Sequence, residues 1–147
     1  MADPYEFTPA IGSSLTTTTT NAAIGGLTQN VVAGATYLFE VHMYYQGSST
    51  SASFSASMAG TCTATMATYH VAIQTNANGT SNHQTHSALN PSASGASAAA
   101  AATTNYGCVI RGSVKVSASG TLTVQAKHVT AACTVQAGAV FTLRQVA

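Results

Sequence analysis

Between residues 36 and 45 the chain alternates. Tyr37, Phe39, Val41, Met43 and Tyr45 fall on one side, and Leu38, Glu40, His42 and Tyr44 on the other. Successive side chains of a strand point to opposite faces, so a period of two held over this length specifies a half-buried β-strand. The second face mixes apolar Leu38 and Tyr44 with Glu40 and His42, which predicts partial cover by a neighbouring chain.

The same period recurs. Ala52, Phe54, Ala56 and Met58 alternate with serines. Tyr69, Val71 and Ile73 share a face in a long run over 61–74. Cys108, Ile110, Gly112, Val114 and Val116 alternate with Val109, Arg111, Ser113 and Lys115, and after Ser119-Gly120 Leu122, Val124 and Ala126 do the same. Two such runs joined through a glycine read as a hairpin. Shorter strands are expected at 15–20, 27–32, 133–136 and 140–146, with a turn at Gly25-Gly26. Ala33-Gly34-Ala35 and Ala137-Gly138-Ala139 each precede an aromatic-led strand, an internal echo that predicts two equivalent corners.

Two segments differ. Residues 1–14 hold Pro4, Pro9 and Gly12 and read as an extended N-terminal arm. Residues 76–105 contain Asn78-Gly79-Thr80, Asn90-Pro91 and an alanine run, and read as a long loop excursion from a single domain over 15–147. Asn90 and Pro91 fit the N-cap and first position of a helical turn. Asn78-Gly79-Thr80 matches a glycosylation acceptor but reads here as a turn. The chain is therefore expected to be all-β: an antiparallel sandwich, in jelly-roll order, of about eight strands. The absence of tryptophan removes the main reason for an immunoglobulin topology.

The chain has 147 residues, enough for one core without metals or disulfides. Only 5% of them are charged: Asp3, Glu6, Glu40, Arg111, Lys115, Lys127 and Arg144. So few charges make no phosphate-tracking surface, so nucleic acid is not an expected partner. No run of 18 apolar residues is present, so no membrane-spanning helix is expected, and no basic segment followed by an apolar one suggests a secretory leader. A neutral Ser/Thr/Ala surface does not keep molecules apart and suits a protein inside an assembly.

Little points to chemistry. Glu40 stands alone in a strand and the other two acids lie in the arm, so no opposed carboxylate pair is in view. There is no GxSxG elbow. No enzyme activity and no cofactor are expected. His83 and His86 form His-x-x-His without a nearby carboxylate, which reads as two solvated histidines. Cys62, Cys108 and Cys133 are far apart, without zinc-finger spacing, and read as small buried hydrophobes. Glu40, Arg111 and Arg144 read as three solvated charges rather than as a pair across the sandwich.

The stretch Val32-Ala33-Gly34-Ala35-Thr36-Tyr37-Leu38-Phe39-Glu40-Val41 resembles a recurrent pattern in virion proteins of tailed phages. Gly112-Ser113-Val114-Lys115-Val116, the run from Ser119 to Gln125, and the run from Val135 to Arg144 follow as in those proteins. The resemblance leaves out the arm and the excursion. It implies a small jelly-roll subunit of the capsid-decoration, or cement, type: a homotrimer on the outer capsid surface that bridges neighbouring subunits of the major capsid protein. It carries no catalytic residues. Asp3, Tyr5, Phe7, Glu40, His42, Tyr44, Asn90 and Tyr106 are the expected interface residues. The competing readings are a tail-fibre or receptor-binding tip that binds a host glycan, and a free carbohydrate-binding module, which should show aromatic platforms.

Overall fold

A computed structural model describes residues 5–8, 11, 14–75, 80–91, 97–98 and 103–146, with 5–8 and 97–98 given by backbone and pairing alone. Among these residues there are strands and no helix. The strands are β1 (Tyr5–Thr8), β2 (Leu15–Thr16), β3 (Ala22–Val31), β4 (Thr36–Gly47), β5 (Ser53–Gly60), β6 (Thr63–Gln74), β7 (Ser81–His86), β8 (Ser97–Ala98), β9 (Asn105–Ala118), β10 (Gly120–His128), β11 (Cys133–Val135) and β12 (Val140–Gln145).

They form two antiparallel sheets. The smaller has the order β3-β10-β5-β8; the larger runs β1-β12-β4-β9-β6-β7, with β11 beside β4 and β2 beside β11. The pairings from β3 to β10 nest: β6 with β7, β5 with β8, β4 with β9, and β3 with β10 outermost. Nested antiparallel pairs wrapped into two facing sheets are a jelly roll. The chain is thus an all-β jelly-roll sandwich, as the alternation predicts.

The inward faces build one core. From the larger sheet come Tyr37, Phe39, Val41, Met43 and Tyr45 of β4, with Tyr69, Val71, Ile73, Cys108, Ile110, Val114 and Phe141; Ile24, Leu27, Phe54, Met58, Leu122 and Val124 face them from the smaller sheet. Two aromatic contacts hold the sheets in register. Tyr45 stacks on Phe54 with ring centroids 4.3 Å apart, and the Met58 amide donates to the Tyr69 hydroxyl at 3.3 Å. A buried tyrosine must satisfy its hydroxyl, and Tyr45 does so by donating to the Gln74 carbonyl at 2.8 Å.

Several expectations are corrected. The runs on either side of Ser119-Gly120 do not form a hairpin, because β9 and β10 lie in opposite sheets. Each is flanked by partners within its own sheet, and the link between them is a corner. A Cβ on Gly120 would lie 2.5 Å from the Cys62 amide nitrogen, so the glycine lets this corner cross the β5–β6 turn. Gly25-Gly26 is not a turn. It lies inside β3 where the register with β10 shifts between Thr123 and Gln125, and Gly26 has φ 87°. A bulge takes up extra residues on one strand and needs such a conformation. The 15–20 run forms only the two-residue β2. In β5 the alternation does not separate core from solvent: Ser55 and Ser57 are buried as fully as Phe54 and Ala56, and Gln125 Nε2 donates to Ser57 Oγ at 2.8 Å.

The 76–105 segment is not a plain loop. It contains β7 and β8, which supply the last strand of each sheet in the roll. Asn90 opens no helix. It adopts φ 56°, and its side chain clasps Gly60, accepting from the amide at 3.2 Å and donating to the carbonyl at 3.3 Å. Asn78 and Gly79 lie outside the described residues. Part of the expected arm is a strand, since β1 pairs antiparallel with β12 at the sheet edge.

The Ala-Gly-Ala echo has a structural counterpart. Gly34 (φ 86°) and Gly138 (φ 94°) occupy the left-handed region that favours glycine. Gly34 donates to the Val116 carbonyl while the Val116 amide donates to Ala35; Gly138 donates to the Ile11 carbonyl while the Ile11 amide donates to Ala139. Each turn therefore clamps the backbone of one buried aliphatic residue. The two are alike locally, but the first connects opposite sheets and the second joins strands of one sheet.

Candidate functional site

Strand parity places a distinct set of side chains on the outer face of the larger sheet. Cross-strand register lines up Thr142, Glu40, Arg111, His70 and Thr85 in one row. The next row is Val140, His42, Val109, Ala72 and His83. On the other side lie Arg144, Leu38, Ser113 and Thr68, and Met66 stands beside Lys115. Four of the chain's charged residues and three of its histidines thus share one face. So do three large exposed apolar side chains, Leu38 at 45%, Tyr44 at 54% and Met66 at 69% exposure. By register Tyr44 lies at one end of this face, opposite Gly107, and Met66 at the other, opposite Lys115, with Leu38 between them.

Glu40 organises the centre of this face. It accepts from the Arg111 guanidinium at 3.0 Å and from His42. The hydrogen bond from His42, and then the bond and charge of Arg111, hold its carboxyl below the usual range, against the opposing effect of partial burial. The expectation of three solvated charges is corrected for Glu40 and Arg111, which pair as direct neighbours within one sheet, not across the sandwich. The pair is exposed and adds little stability, about 0–1 kcal/mol. It does fix the orientation of the side chains around it.

The expected interface residues separate into groups. Glu40, His42 and Tyr44 come together on this face. Tyr5 and Phe7 lie on β1, at the register positions of Arg144 and Thr142 along the same sheet's edge. Asp3 lies outside the described residues. Asn90 is exposed but far along the chain's path from this face, tied to the β5–β6 corner. Tyr106 is corrected: it is 1% exposed, packed against Tyr45 with centroids 5.6 Å apart, so it is a core residue. Its position at the end of the excursion hid that it takes the inward parity of β9.

His83 and His86 cannot share a ligand from one strand face, because three residues along β7 places them on opposite sides. His83 Nδ1 lies 2.9 Å from His70 Nε2 on the outer face. His86 turns inward, its ring 5.0 Å from that of Tyr69, with Nε2 buried and unpartnered; burial lowers its pKa. The expectation of two solvated histidines is corrected for His86, and only the β6–β7 register brings His70 to His83. All three cysteines are buried and unbridged. Burial pushes the Cys108 thiol up to about 12 and that of Cys133 up to about 11, so neither is poised as a nucleophile. Among the described residues no group of three or more His, Cys, Asp or Glu stands together as a metal cage. A cleft of about 320 Å³ between Cys62–Ala67 and Ser87–Asn90 contains no charged residue.

No family model matches the chain, and no curated protein does. Solved structures give low likenesses. TmCBM61 in complex with β-1,4-galactotriose aligns at 8% identity over 86% of this chain and 88% of its own, with a TM-score of 0.44. Eiger TNF from S. frugiperda aligns at 10% over 99% and 94%, with a TM-score of 0.41. The VP2 subviral particle of infectious bursal disease virus aligns at 12% over 96% of this chain and 40% of its own, with a TM-score of 0.26. At these values the likenesses carry no argument. The nested strand order defines the class: an all-β domain of jelly-roll order.

Proposed function

We propose that this chain is a virion structural protein of the capsid-decoration, or cement, type. In this reading a homotrimer binds the outer surface of a tailed-phage capsid and bridges neighbouring subunits of the major capsid protein. The observation that carries it is the outer face of the larger sheet, where Leu38, Tyr44 and Met66 are exposed around the Glu40–Arg111 pair on an otherwise nearly uncharged chain. Such a face offers buried area and orientation rather than reactive groups. A stable interface buries about 1,600 Å² in total, shared between partners. Aromatic and apolar anchors at its centre carry most of the affinity. The resemblance in the stretches 32–41, 112–116, 119–125 and 135–144 supports the capsid among possible assemblies.

Co-sedimentation with expanded capsids of the phage that encodes the chain tests the reading. Binding to assembled shells and not to free capsid subunits is expected, with at least tenfold loss in Tyr44→Ser and Leu38→Ser. Binding to host cells or polysaccharide alone would replace this reading with the receptor-binding one. Wild-type affinity in both variants would remove the face from the interface.

A further inference from the structure

His70 and His83 lie on that outer face but are not among the side chains on which the reading above relies. They sit on adjacent antiparallel strands, diagonally placed, since His70 is opposite Thr85 and His83 is opposite Ala72. Both are exposed. Nε2 of His70 and Nδ1 of His83 approach to 2.9 Å, the ring centroids are 5.1 Å apart, and the planes differ by 19°. The two nitrogens therefore face each other across a gap that one bridging proton fills. The groups around the pair are Arg111, opposite His70 on β9, and Glu40, which already engages that guanidinium.

We propose that this pair is a transition-metal site, a two-imidazole ligand set for Cu(II) or Ni(II). Imidazole nitrogens suit these ions, and a tetragonal ion takes two of them in adjacent positions. With metal–nitrogen bonds of about 2.0–2.1 Å, two neighbouring ligands of one ion lie about 3 Å apart. The 2.9 Å between the two nitrogens is that of a hydrogen bond between the rings, and it puts both within reach of one ion. Both rings are exposed, so each can rotate to turn its lone pair away from the other ring and toward one point. The proton that bridges the pair leaves the shared side as the donor ring changes tautomer, so both nitrogens are free to coordinate. The sheet holds the two strands in register, which pre-organises the ligands, and water completes the coordination shell. With no carboxylate or thiolate among the ligands, the site disfavours Ca²⁺ and Mg²⁺, which take oxygen.

Calorimetric titration of the untagged full chain with Cu(II), Ni(II), Zn(II) and Mg(II) tests this, with electron paramagnetic resonance of the copper form. One Cu(II) per chain with nitrogen couplings is expected, Ni(II) is expected to bind more tightly than Zn(II), and Mg(II) is expected not to bind. His70→Ala and His83→Ala should each weaken Cu(II) at least tenfold, while His42→Ala should leave it unchanged. Because both histidines are exposed, the variants should fold, and circular dichroism verifies it. Copper binding that persists in the His70→Ala/His83→Ala double variant would overturn the site, as would Zn(II) binding more tightly than Ni(II) or no binding at all.

Discussion

Replacing Gly112 with alanine should be among the most damaging single-methyl changes in this chain. Gly112 lies in the middle of β9, directly opposite Phe39 on one side and Tyr69 on the other. The rings of those two residues meet over it, with centroids 6.1 Å apart. A Cβ at this position would fall 2.3 Å from the Tyr69 Cβ, 2.4 Å from the Thr68 carbonyl oxygen and 2.7 Å from the Tyr69 Cα. Two of these are backbone atoms of a central strand, so no rotamer change relieves the contact. Overpacking a core costs about 1–3 kcal/mol, and more when only the backbone can yield. Against that, alanine is intrinsically better than glycine within a strand by about 0.5–1 kcal/mol. With overpacking at its upper end of about 3 kcal/mol, the net expectation is a loss of about 2–2.5 kcal/mol, or about 4–10 °C in Tm at roughly 2–4 °C per kcal/mol. Gly25→Ala is the internal control, because a Cβ there meets nothing within 4 Å. Urea unfolding at one fixed protein concentration reads both variants. Gly112→Ala within 0.5 kcal/mol of wild type, or equal to Gly25→Ala, would refute the packing argument.

Two further outcomes follow from buried titratable groups. Burial lowers the pKa of His86 in the fold, so below the ordinary value of about 6.5 the unfolded chain binds more protons and stability falls with pH. His86→Phe, which keeps the ring against Tyr69, should lose less stability than wild type from pH 7 to pH 5 in denaturant titrations, and equal slopes would contradict it. In the native chain Cys108 and Cys133 should react very slowly with a thiol reagent at pH 8, since burial pushes them up to about 12 and about 11. Denaturant should then release all three thiols; fewer than three would reveal a disulfide, and rapid native labelling of Cys108 would contradict its burial.

Alternation alone made the class and much of the core legible. The five inward residues of β4 and the inward residues of β9 and β10 are those that parity selects, because the strand period depends on the backbone and not on the partner. The positions of Glu40, His42 and Tyr44 on one outward face follow from the same rule. What parity cannot give is which strand lies beside which. The sequence order around Ser119-Gly120 suits a hairpin, yet β9 and β10 went to opposite sheets because nested pairing lets each be flanked on both edges. The polar run 81–86 carries no hydrophobic alternation. It became a strand because the free edge of β6 offers it a hydrogen-bonded ladder. Tyr106 shows the cost of reading a residue by its place in a loop rather than by the parity of the strand it begins.

Side-chain period and charge count are local properties, so they were enough to specify a β-sandwich with few charges. That Glu40 meets Arg111, that His83 meets His70 and not His86, and that Asn90 clasps Gly60 came from the folded arrangement of the strands. Those contacts depend on strand register and sheet order, which are set by the joint packing of distant segments into one core.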